Sequence, residues 1–377
     1  MKFDTKLLHG YPVIDKMTGA ASIPKYQAST FHQSEFPNKQ QYTYTRFGNP
    51  TIEAAEQAIA GLEEAKYGVA FSSGVAAITA TLFLLKSGDH IVLGKNIYGG
   101  TFQLVTAMLK KFNIEYTFVD ETDIGEWKSA VKENTKMFYL ESPSNPLLTI
   151  TDLAEIAKIA KGHEILTACD NTFMTPYYQN PIKLGVDIVI HSATKFLGGH
   201  SDIVMGLVAT NDSHLYEGLR TNQKIIGSIP GVEESWLMLR GIKTLSVRMD
   251  KASKNALDIA HFLSRHSAVK KVFYPSLDEH EGNRIHEKQS KSGGAILSFE
   301  LHSEESVNKL FNNAKIPIVA VSLGGVESIL SYPWTMSHAC MSEKERFEMG
   351  VTPTVVRLSV GIENSEDLIN DLKLSLE

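Results

Sequence analysis

A lysine at the end of an apolar run has the side chain in this sequence best suited to covalent chemistry. Lys195 follows the segment 186–190, which predicts a short buried strand, and stands between two hydroxyl residues and a pair of glycines. A partly buried lysine loses its charge easily and becomes a nucleophilic amine, which suits it to form a Schiff base. An isolated lysine after a strand is usually a surface residue, so this interpretation depends on the rest of the chain.

Two other segments place polar groups at the ends of predicted strands. Asp170 follows the apolar run 165–169, where its carboxylate could pair with the protonated ring nitrogen of pyridoxal phosphate or simply cap the next turn. Ser72-Ser73-Gly74 precedes a run of helix formers, and the N–H groups at a helix start bind phosphate well. Lysine, aspartate and phosphate loop together predict one site for pyridoxal 5'-phosphate.

Strand-like and helical segments alternate from about residue 50 onward. This order predicts an α/β fold with a mostly parallel sheet, helices on both faces and a ligand at the carboxyl ends of the strands. Helical stretches such as Thr151–Lys161 lie between the strands. The predicted strands of the sheet are Tyr67–Phe71, His90–Leu93, Tyr116–Val119, Met137–Leu140, Ile165–Cys169, Asp187–Ile190 and Ile203–Ala209.

The chain is long enough for two domains. Residues 1–45 have few periodic signals and predict an extended arm with a functional or intersubunit role. Residues 46–240 form the predicted large domain, and residues 241–377 a smaller α+β domain that starts with a long helix through Ile242, Leu245 and Leu263. The predicted strands of the smaller domain are Lys271–Tyr274, Ala295–Phe299, Ile318–Val321 and Val356–Val360.

The bulk composition is that of an ordinary globular protein. The 377 residues carry a net charge of −6 with 43% apolar and 21% charged residues, and they include no long basic run, so we expect no nucleic-acid partner. Two cysteines are too few for a disulfide framework and favour the cytoplasm. No segment approaches the roughly 20 apolar residues that cross a bilayer, so we expect no membrane partner.

Eight ordered segments carry a resemblance to a known family. The sequence resembles the pyridoxal-phosphate enzymes of Cys/Met metabolism, the cystathionine lyases and synthases, from about residue 8 to the C-terminus. The resemblance implies the fold-type I PLP-dependent transferase fold, with a seven-stranded sheet in the large domain. The segments are Tyr44–Thr51, Ser73–Ala77, Tyr98–Thr101, Glu141–Pro146, Asp170–Phe173, His191–Lys195, Ser322–Gly325 and Arg357–Gly361.

The resemblance also implies a role for each residue around the cofactor. Lys195 is expected to hold the cofactor and then to act as the general base at the substrate Cα. Asp170 pairs with the ring nitrogen, Tyr98 stacks on the ring, and Thr172 approaches its O3′ side. The expected phosphate cradle consists of Ser73, Gly74, Val75, Ser192 and Thr194.

Further residues are assigned to a neighbouring subunit and to the substrate. Tyr44 and Arg46 resemble a pair that reaches the phosphate of a neighbouring subunit, which implies a homotetramer built as a dimer of dimers with shared active sites. Asn145, Ser322 and Arg357 are expected to bind the α-carboxylate of a small amino-acid substrate and the edge of the cofactor. Arg357 lies in an apolar context, where a buried arginine needs an anion.

The residues around the site leave the reaction open between two eliminations. Cystathionine cleaved at Cγ gives cysteine, 2-oxobutanoate and ammonia, and cleaved at Cβ it gives homocysteine, pyruvate and ammonia. Gly100 replaces the cysteine of methionine γ-lyases, Val321 replaces a glutamate that can meet the distal amino group, and Leu323 replaces the tryptophan of enteric β-lyases. We therefore expect a lyase of relaxed specificity, with γ-elimination slightly ahead of β-elimination.

Other functions remain as alternatives. A cystathionine γ-synthase or an O-acylhomoserine sulfhydrylase, both transferases, uses the same scaffold. A cofactor-free regulatory protein is disfavoured because it could lose Lys195 without structural cost. The spacings of His191, His200 and His338 match no common zinc pattern, so we expect no metal site.

Overall fold

Short buried strands form two separate sheets in the computed structural model, which describes residues 1–34, 37 and 40–377. The strands predicted from the sequence are present, with ends that differ by at most three residues. In the described part of the chain the strands are β1 Tyr67–Phe71, β2 His90–Gly94, β3 Glu115–Val119, β4 Thr135–Glu141, β5 Leu166–Asp170, β6 Ile188–Ser192, β7 Gly206–Thr210, β8 Val269–Phe273, β9 Ile296–Leu301, β10 Ile318–Val319, β11 Ile329–Ser331 and β12 Val355–Ser359.

The larger sheet positions the lysine and the aspartate. Among the described residues it has seven strands in the order β1-β7-β6-β5-β4-β2-β3, and all neighbours are parallel except β7, which is antiparallel to β1 and to β6. Its central strands are buried on both faces, which explains why they are continuous apolar runs in the sequence. The mostly parallel α/β sheet that the sequence predicts is confirmed.

The smaller sheet contributes the arginine. In the described residues it has five strands in the order β10-β11-β12-β9-β8, and only β10 and β11 are parallel neighbours. Strand β11 was missed in the sequence because it has only three residues. Strand β10 ends at Val319, so the prediction of a strand up to Val321 is wrong and Val321 lies in the following loop.

Helices cover both faces of the larger sheet and one face of the smaller one. Asp152 caps α6, which is the helix predicted at Thr151–Lys161, by accepting from the backbone N–H of Glu155. The helices of the described residues are α1 Phe3–His9, α2 Pro50–Leu62, α3 Gly74–Leu82, α4 Gly99–Gln103, α5 Ile124–Ser129, α6 Leu153–Gly162, α7 Thr175–Tyr178, α8 Ser213–Ile226, α9 Val232–Ile242, α10 Leu245–Leu263, α11 Asn283–Gln289, α12 Glu304–Asn313, α13 Glu343–Glu348 and α14 Ser365–Leu376, with a π turn at Leu104–Met108 and 3-10 turns at Leu109–Phe112 and Pro181–Leu184.

Two predictions about the helices need correction. The first 45 residues are not extended throughout, because α1 lies among them and buries Leu7 in the core. The long helix does not include Ile242. This residue is the last of α9, and two residues separate it from the start of α10 at Leu245. Arg248 of α10 donates to the carbonyl of Gly241 at 2.9 Å and to that of Phe196 at 2.7 Å, and it thereby binds the helix break to the loop that follows β6.

The apolar core of the described residues consists of several clusters. One lies between the larger sheet and α3, another between that sheet and α6, and a third between the smaller sheet, α10 and α14. A further cluster connects the two sheets, because it includes Ala70 and Leu207 of the larger sheet and Ile296 of the smaller one. Within the residues that the structure describes, no helix combines the length and the apolar character that a bilayer span requires.

Candidate active site

A cavity of about 720 Å³ lies between the carboxyl ends of the central strands and the smaller sheet. Strands β4, β5 and β6 reach it from one side, while β12 and the loop before β11 close the other side. Every residue that the sequence assigns to the site lines this cavity, except Tyr44 and Arg46. The structure therefore brings together segments from residue 73 to residue 357.

Lys195 extends from the loop after β6 toward the smaller sheet. Its Nζ donates to Ser322 Oγ at 2.6 Å. Burial and the nearby Arg357 guanidinium lower the pKa of Lys195 to about 8, because both disfavour the charged ammonium. A lysine with this pKa supplies a useful fraction of neutral, nucleophilic amine near neutral pH.

Asp170 ends β5 inside the cavity, and its position fits the protonated ring nitrogen of pyridoxal phosphate. Its Oδ1 accepts the backbone N–H of Thr172 at 3.0 Å. Burial raises the pKa of Asp170, because desolvation disfavours the carboxylate. A buried carboxylate whose charge is opposed by desolvation is stabilised by a cationic partner, and a protonated pyridine nitrogen is such a partner.

The start of α3 fits a phosphate group. Ser73 caps this nine-residue helix, and its Oγ accepts the N–H of Ala76 at 3.0 Å. Gly74 is required here because a Cβ at this position would lie 2.8 Å from the Ser192 side chain at the end of β6. The two segments can therefore approach closely, and the first N–H groups of α3, beginning with those of Gly74 and Val75, are available to an anion.

The hydroxyl groups on the other side of this cradle are partly engaged with the chain. Thr172 Oγ1 accepts the N–H of Ser192 at 2.8 Å, which fixes the ends of β5 and β6 together. Thr194 Oγ1 accepts from the N–H of Met205 at 3.0 Å and makes a longer contact of 3.3 Å with its carbonyl oxygen. If Thr194 donates its hydroxyl hydrogen to a phosphate, it loses only the long contact with the Met205 carbonyl and keeps the hydrogen bond from the Met205 N–H.

Tyr98 stands at the mouth of the cavity, directly before α4. Its side chain is 40% exposed, so one ring face is free to stack on a ligand. A Cβ on Gly100 would lie 2.4 Å from the Tyr98 ring, so the ring can hold this position only because residue 100 has no side chain. Burial and the carboxylates of Asp170 and Glu141 raise the pKa of Tyr98.

Arg357 is a buried cation that contacts only neutral groups in the described residues. Its Nη1 donates to Asn145 Oδ1 at 2.8 Å, and its Nη2 donates to the carbonyl of Ser322 at 2.6 Å and to Ser331 Oγ at 3.2 Å. Its Nε is buried without a partner. Burial lowers the pKa of Arg357 to about 10, because desolvation disfavours the charged guanidinium.

Tyr44 and Arg46 lie outside the cavity of their own chain. Arg46 donates to the carbonyl of Lys224 at 3.0 Å and stacks over the rings of Tyr44 and Phe47. Both predicted residues are exposed. Within one chain they therefore make no contact with the cofactor site.

Glu141 and Cys340 are ionisable residues that line the cavity, and the sequence predicted no role for either of them. Glu141 ends β4 just as Asp170 ends β5, and the two are paired in the strand register. The apolar run before Glu141 is the same signal that revealed Asp170. Cys340 lies in the irregular segment between β11 and α13, where no periodic pattern indicates its position.

The three histidines considered as metal ligands have separate partners. His191 Nε2 bonds to Glu63 Oε1 at 2.5 Å in a buried pair, His200 Nδ1 contacts the carbonyl of Gly198 at 2.8 Å, and His338 Nδ1 contacts Ser337 Oγ at 2.9 Å. In the part of the chain that the structure describes, no group of three or more His, Cys, Asp or Glu residues is arranged to hold a metal ion.

Known proteins resemble this chain over its full length. It is 51% identical over 374 residues to the cystathionine beta-lyase MetC of Bacillus subtilis, an alignment that covers 99% of this chain and 96% of that protein. It is 46% identical to the cystathionine gamma-lyase of Bacillus subtilis, with 100% of both chains covered. A crystal structure of cystathionine gamma-lyase from Lactobacillus plantarum complexed with L-serine superposes with a TM-score of 0.98 at 44% identity and covers 100% of this chain and 98% of that chain.

The sequence profile of one family matches residues 4–377, which is almost the whole chain. The family is described as Cys/Met metabolism PLP-dependent enzymes. Its cofactor agrees with the lysine, the buried aspartate and the phosphate cradle that line the cavity. The chain therefore belongs to the Cys/Met metabolism PLP-dependent enzyme family, and its cofactor is pyridoxal 5'-phosphate.

Proposed function

We propose that this enzyme is a carbon–sulfur lyase that cleaves L-cystathionine. The observation that carries the proposal is the buried Arg357, which faces the cavity from the side opposite Asp170 and has no anionic partner in the described residues. An amino-acid carboxylate supplies the missing negative charge. The relatives at 46% and 51% identity, which are named cystathionine lyases, support the choice of substrate.

The residues of the chain divide the work of the reaction. Pyridoxal phosphate, when bound, supplies an electron-withdrawing ring that stabilises negative charge at the substrate Cα. Lys195 holds the cofactor and, once its amine is free, removes the proton from Cα. Asp170 keeps the ring nitrogen protonated, and Tyr98 covers one face of the ring. Ser73, Gly74, Val75, Ser192 and Thr194 hold the phosphate, while Thr172 approaches the O3′ side.

On the substrate side, Arg357 and Asn145 bind the α-carboxylate. Ser322 accepts a hydrogen bond from Lys195 and so orients the amine between two positions of the reaction, one at Cα and one at the neighbouring carbon. Expulsion of sulfur from Cβ, with one water consumed to release the amino group as ammonia, gives homocysteine, pyruvate and ammonia. Expulsion from Cγ requires a second proton removal at Cβ and, with one water consumed in the same way, gives cysteine, 2-oxobutanoate and ammonia.

The names of the relatives do not agree on which carbon–sulfur bond of the substrate is cleaved. The sequence favours γ-elimination slightly, whereas a relative at 51% identity is named a beta-lyase and one at 46% a gamma-lyase. We propose that both eliminations occur at this site, since no charged residue of the described chain lies at the outer wall of the cavity to fix the distal end of the substrate. The alternative function remains a transferase, a cystathionine γ-synthase or an O-acylhomoserine sulfhydrylase.

The assembly and the domain layout belong to the same proposal. We infer a fold-type I enzyme with an N-terminal arm at 1–45, a large domain at 46–240 and a small domain at 241–377, supported by the two separate sheets. A homotetramer, built as a dimer of dimers, is supported by the position of Tyr44 and Arg46, which are exposed and away from their own cavity. The free thiols of Cys169 and Cys340 support a cytoplasmic location.

The first prediction concerns the products from L-cystathionine. The purified holoenzyme releases 2-oxobutanoate with cysteine, pyruvate with homocysteine, or both, and Lys195→Ala abolishes nearly all of this release because no other amine lies at that position. Separation of the keto acids and thiols by chromatography measures both routes. Turnover of an O-acylhomoserine that requires added cysteine or sulfide, with no cleavage of cystathionine, would assign the enzyme to the transferases instead.

The second prediction follows from the pKa of Lys195. In the cofactor-free chain, acylation of Lys195 by a small activated ester rises with pH and is half-maximal near pH 8, because the neutral amine is the form that attacks the ester and displaces its alcohol. Arg357→Gln moves this midpoint to higher pH, since it removes a neighbouring positive charge. Peptide mass spectrometry measures both, with the exposed Lys251 as reference. A midpoint that does not move in Arg357→Gln contradicts the electrostatic coupling.

The third prediction tests the shared site. Arg46→Ala weakens cofactor retention, because a hydrogen bond from a charged group to phosphate contributes about 1.5–3 kcal/mol. Hybrids of Arg46→Ala and Lys195→Ala chains regain part of the activity, since one of the two sites in each mixed dimer is then intact. The measurement is turnover in hybrids isolated with two different affinity tags. Inactive hybrids, in which both chains are demonstrated, would mean that each chain forms its site alone.

The fourth prediction concerns the distal end of the substrate. Val321 lines the cavity and is 63% exposed, so Val321→Glu adds a carboxylate where a distal ammonium can reach it. This pairing raises selectivity for cystathionine over shorter thioethers by roughly tenfold to a hundredfold and raises the share of γ-elimination. Competition assays with cystathionine and methionine measure it, with Val321→Gln as the uncharged control. Equal effects of Glu and Gln would exclude a charge interaction.

A further inference from the structure

Glu141 is a buried carboxylic acid in the wall of the active site that has no part in the proposed reaction. Its two oxygens accept hydrogen bonds from two different segments of the wall. Oε2 accepts the backbone N–H of Tyr98 at 3.0 Å, and Oε1 accepts the backbone N–H of Asn145 at 3.0 Å. One side chain thus connects the residue before α4 with the loop that follows β4.

The second of these contacts continues to the arginine. Asn145 Oδ1 accepts from Arg357 Nη1 at 2.8 Å, and both side chains are buried. A displacement of the Asn145 backbone therefore moves the acceptor that orients the guanidinium. The path from Glu141 to Arg357 consists of two hydrogen bonds and contains no flexible exposed residue.

We propose that Glu141 is a positioning residue that fixes Asn145, and through it Arg357, for binding of the substrate α-carboxylate, with Tyr98 as its second anchor. The inference rests on the proposed function, because Arg357 has this task only if the substrate is an amino acid. It adds to that function a residue that contacts neither the cofactor nor the substrate.

Burying the Glu141 carboxyl group beside Asp170 is energetically unfavourable, so a purely structural contact does not explain it. Burial and the paired Asp170 raise the pKa of Glu141 to about 8, while the two N–H donors act in the opposite direction. A serine or a glutamine could satisfy one backbone N–H without bringing a second carboxylate next to Asp170. Only a carboxyl group offers an acceptor oxygen to each of two N–H groups from one side chain.

Glu121 provides a matched control. It is also a buried carboxylic acid whose pKa is raised by burial, and its Oε2 accepts the backbone N–H of Asn96 at 3.3 Å. It does not line the cavity and has no contact with Asn145 or Arg357 among the described residues. Glu121 acts on Glu141 only through space, by adding to the rise of its pKa. Glu121→Gln thus removes a comparable buried carboxyl group from the same region and breaks neither of the two hydrogen bonds to Glu141.

The experiment compares two small amines that differ only by a carboxylate. Glycine and methylamine both react with the lysine-bound cofactor of the holoenzyme, and the change of its visible absorption band measures their binding. Glu141→Gln weakens glycine binding about tenfold, because glutamine replaces one of the two acceptor oxygens by an NH2 donor that cannot accept a backbone N–H, and it leaves methylamine binding unchanged. Glu121→Gln changes neither.

Three additional results make the test decisive. Glu141→Asp, which retains both oxygens on a shorter side chain, gives an intermediate loss of glycine affinity and keeps the test available if the glutamine variant does not fold. Glu141→Gln and Asn145→Ala are non-additive for glycine, because both break the same path. A crystal structure of Glu141→Gln shows a longer distance between Arg357 Nη1 and Asn145 Oδ1.

The outcomes separate this inference from the lyase proposal. Equal weakening of glycine and methylamine, additive variants, or unchanged glycine affinity would overturn the role of Glu141. Failure of the wild-type enzyme to cleave cystathionine would overturn the lyase proposal, and the glycine measurement remains valid in that case since it needs only the bound cofactor.

Discussion

Four buried or partly buried ionisable groups share one cavity, and the fold keeps them from pairing with one another. Asp170 and Glu141 lie at the end of the larger sheet, while Arg357 lies across from them on the smaller sheet and Lys195 extends between the two sheets. None of the ion pairs in the described residues joins any two of these groups. In the function proposed above, Asp170, Lys195 and Arg357 are thereby left for the cofactor and the substrate, while Glu141 is held by two backbone N–H groups of the cavity wall.

Ser322 connects the larger sheet to the smaller sheet through two hydrogen bonds, one to Lys195 and one to Arg357. It has a φ of +88°, in the left-handed region that non-glycine residues rarely adopt, and such a conformation costs of order 1–3 kcal/mol. In this conformation its Oγ accepts from Lys195 while its carbonyl accepts from Arg357. One strained residue therefore orients the Lys195 amine and the Arg357 guanidinium, which are the nucleophile and the carboxylate-binding cation of the proposed function.

The sequence predicts the half of the site that follows buried parallel strands. An apolar run that ends in a polar residue places that residue at the carboxyl edge of the sheet, and this rule places Asp170 and Lys195 correctly. It applies equally to Glu141, whose role was missed because no chemistry required it. The opposite wall could not be predicted in the same way, since Val321 lies in a loop and Cys340 in an irregular segment whose positions depend on tertiary contacts.

The distribution of polarity in the cavity explains why one scaffold supports two eliminations. The inner end holds the charged groups that act on Cα and the α-carboxylate, and these are indifferent to the rest of the substrate. The exposed side chains that line the cavity include Val204 and Val321, which are neutral. If the proposed function holds, only weak apolar contacts from these residues orient the distal chain of the substrate, and small differences there would decide whether Cβ loses sulfur or a second proton. The chain is 51% identical to a protein named beta-lyase and 46% identical to one named gamma-lyase, and it superposes on a gamma-lyase structure with a TM-score of 0.98. The backbone alone therefore does not determine which of the two eliminations takes place, since function depends on the site rather than on the fold.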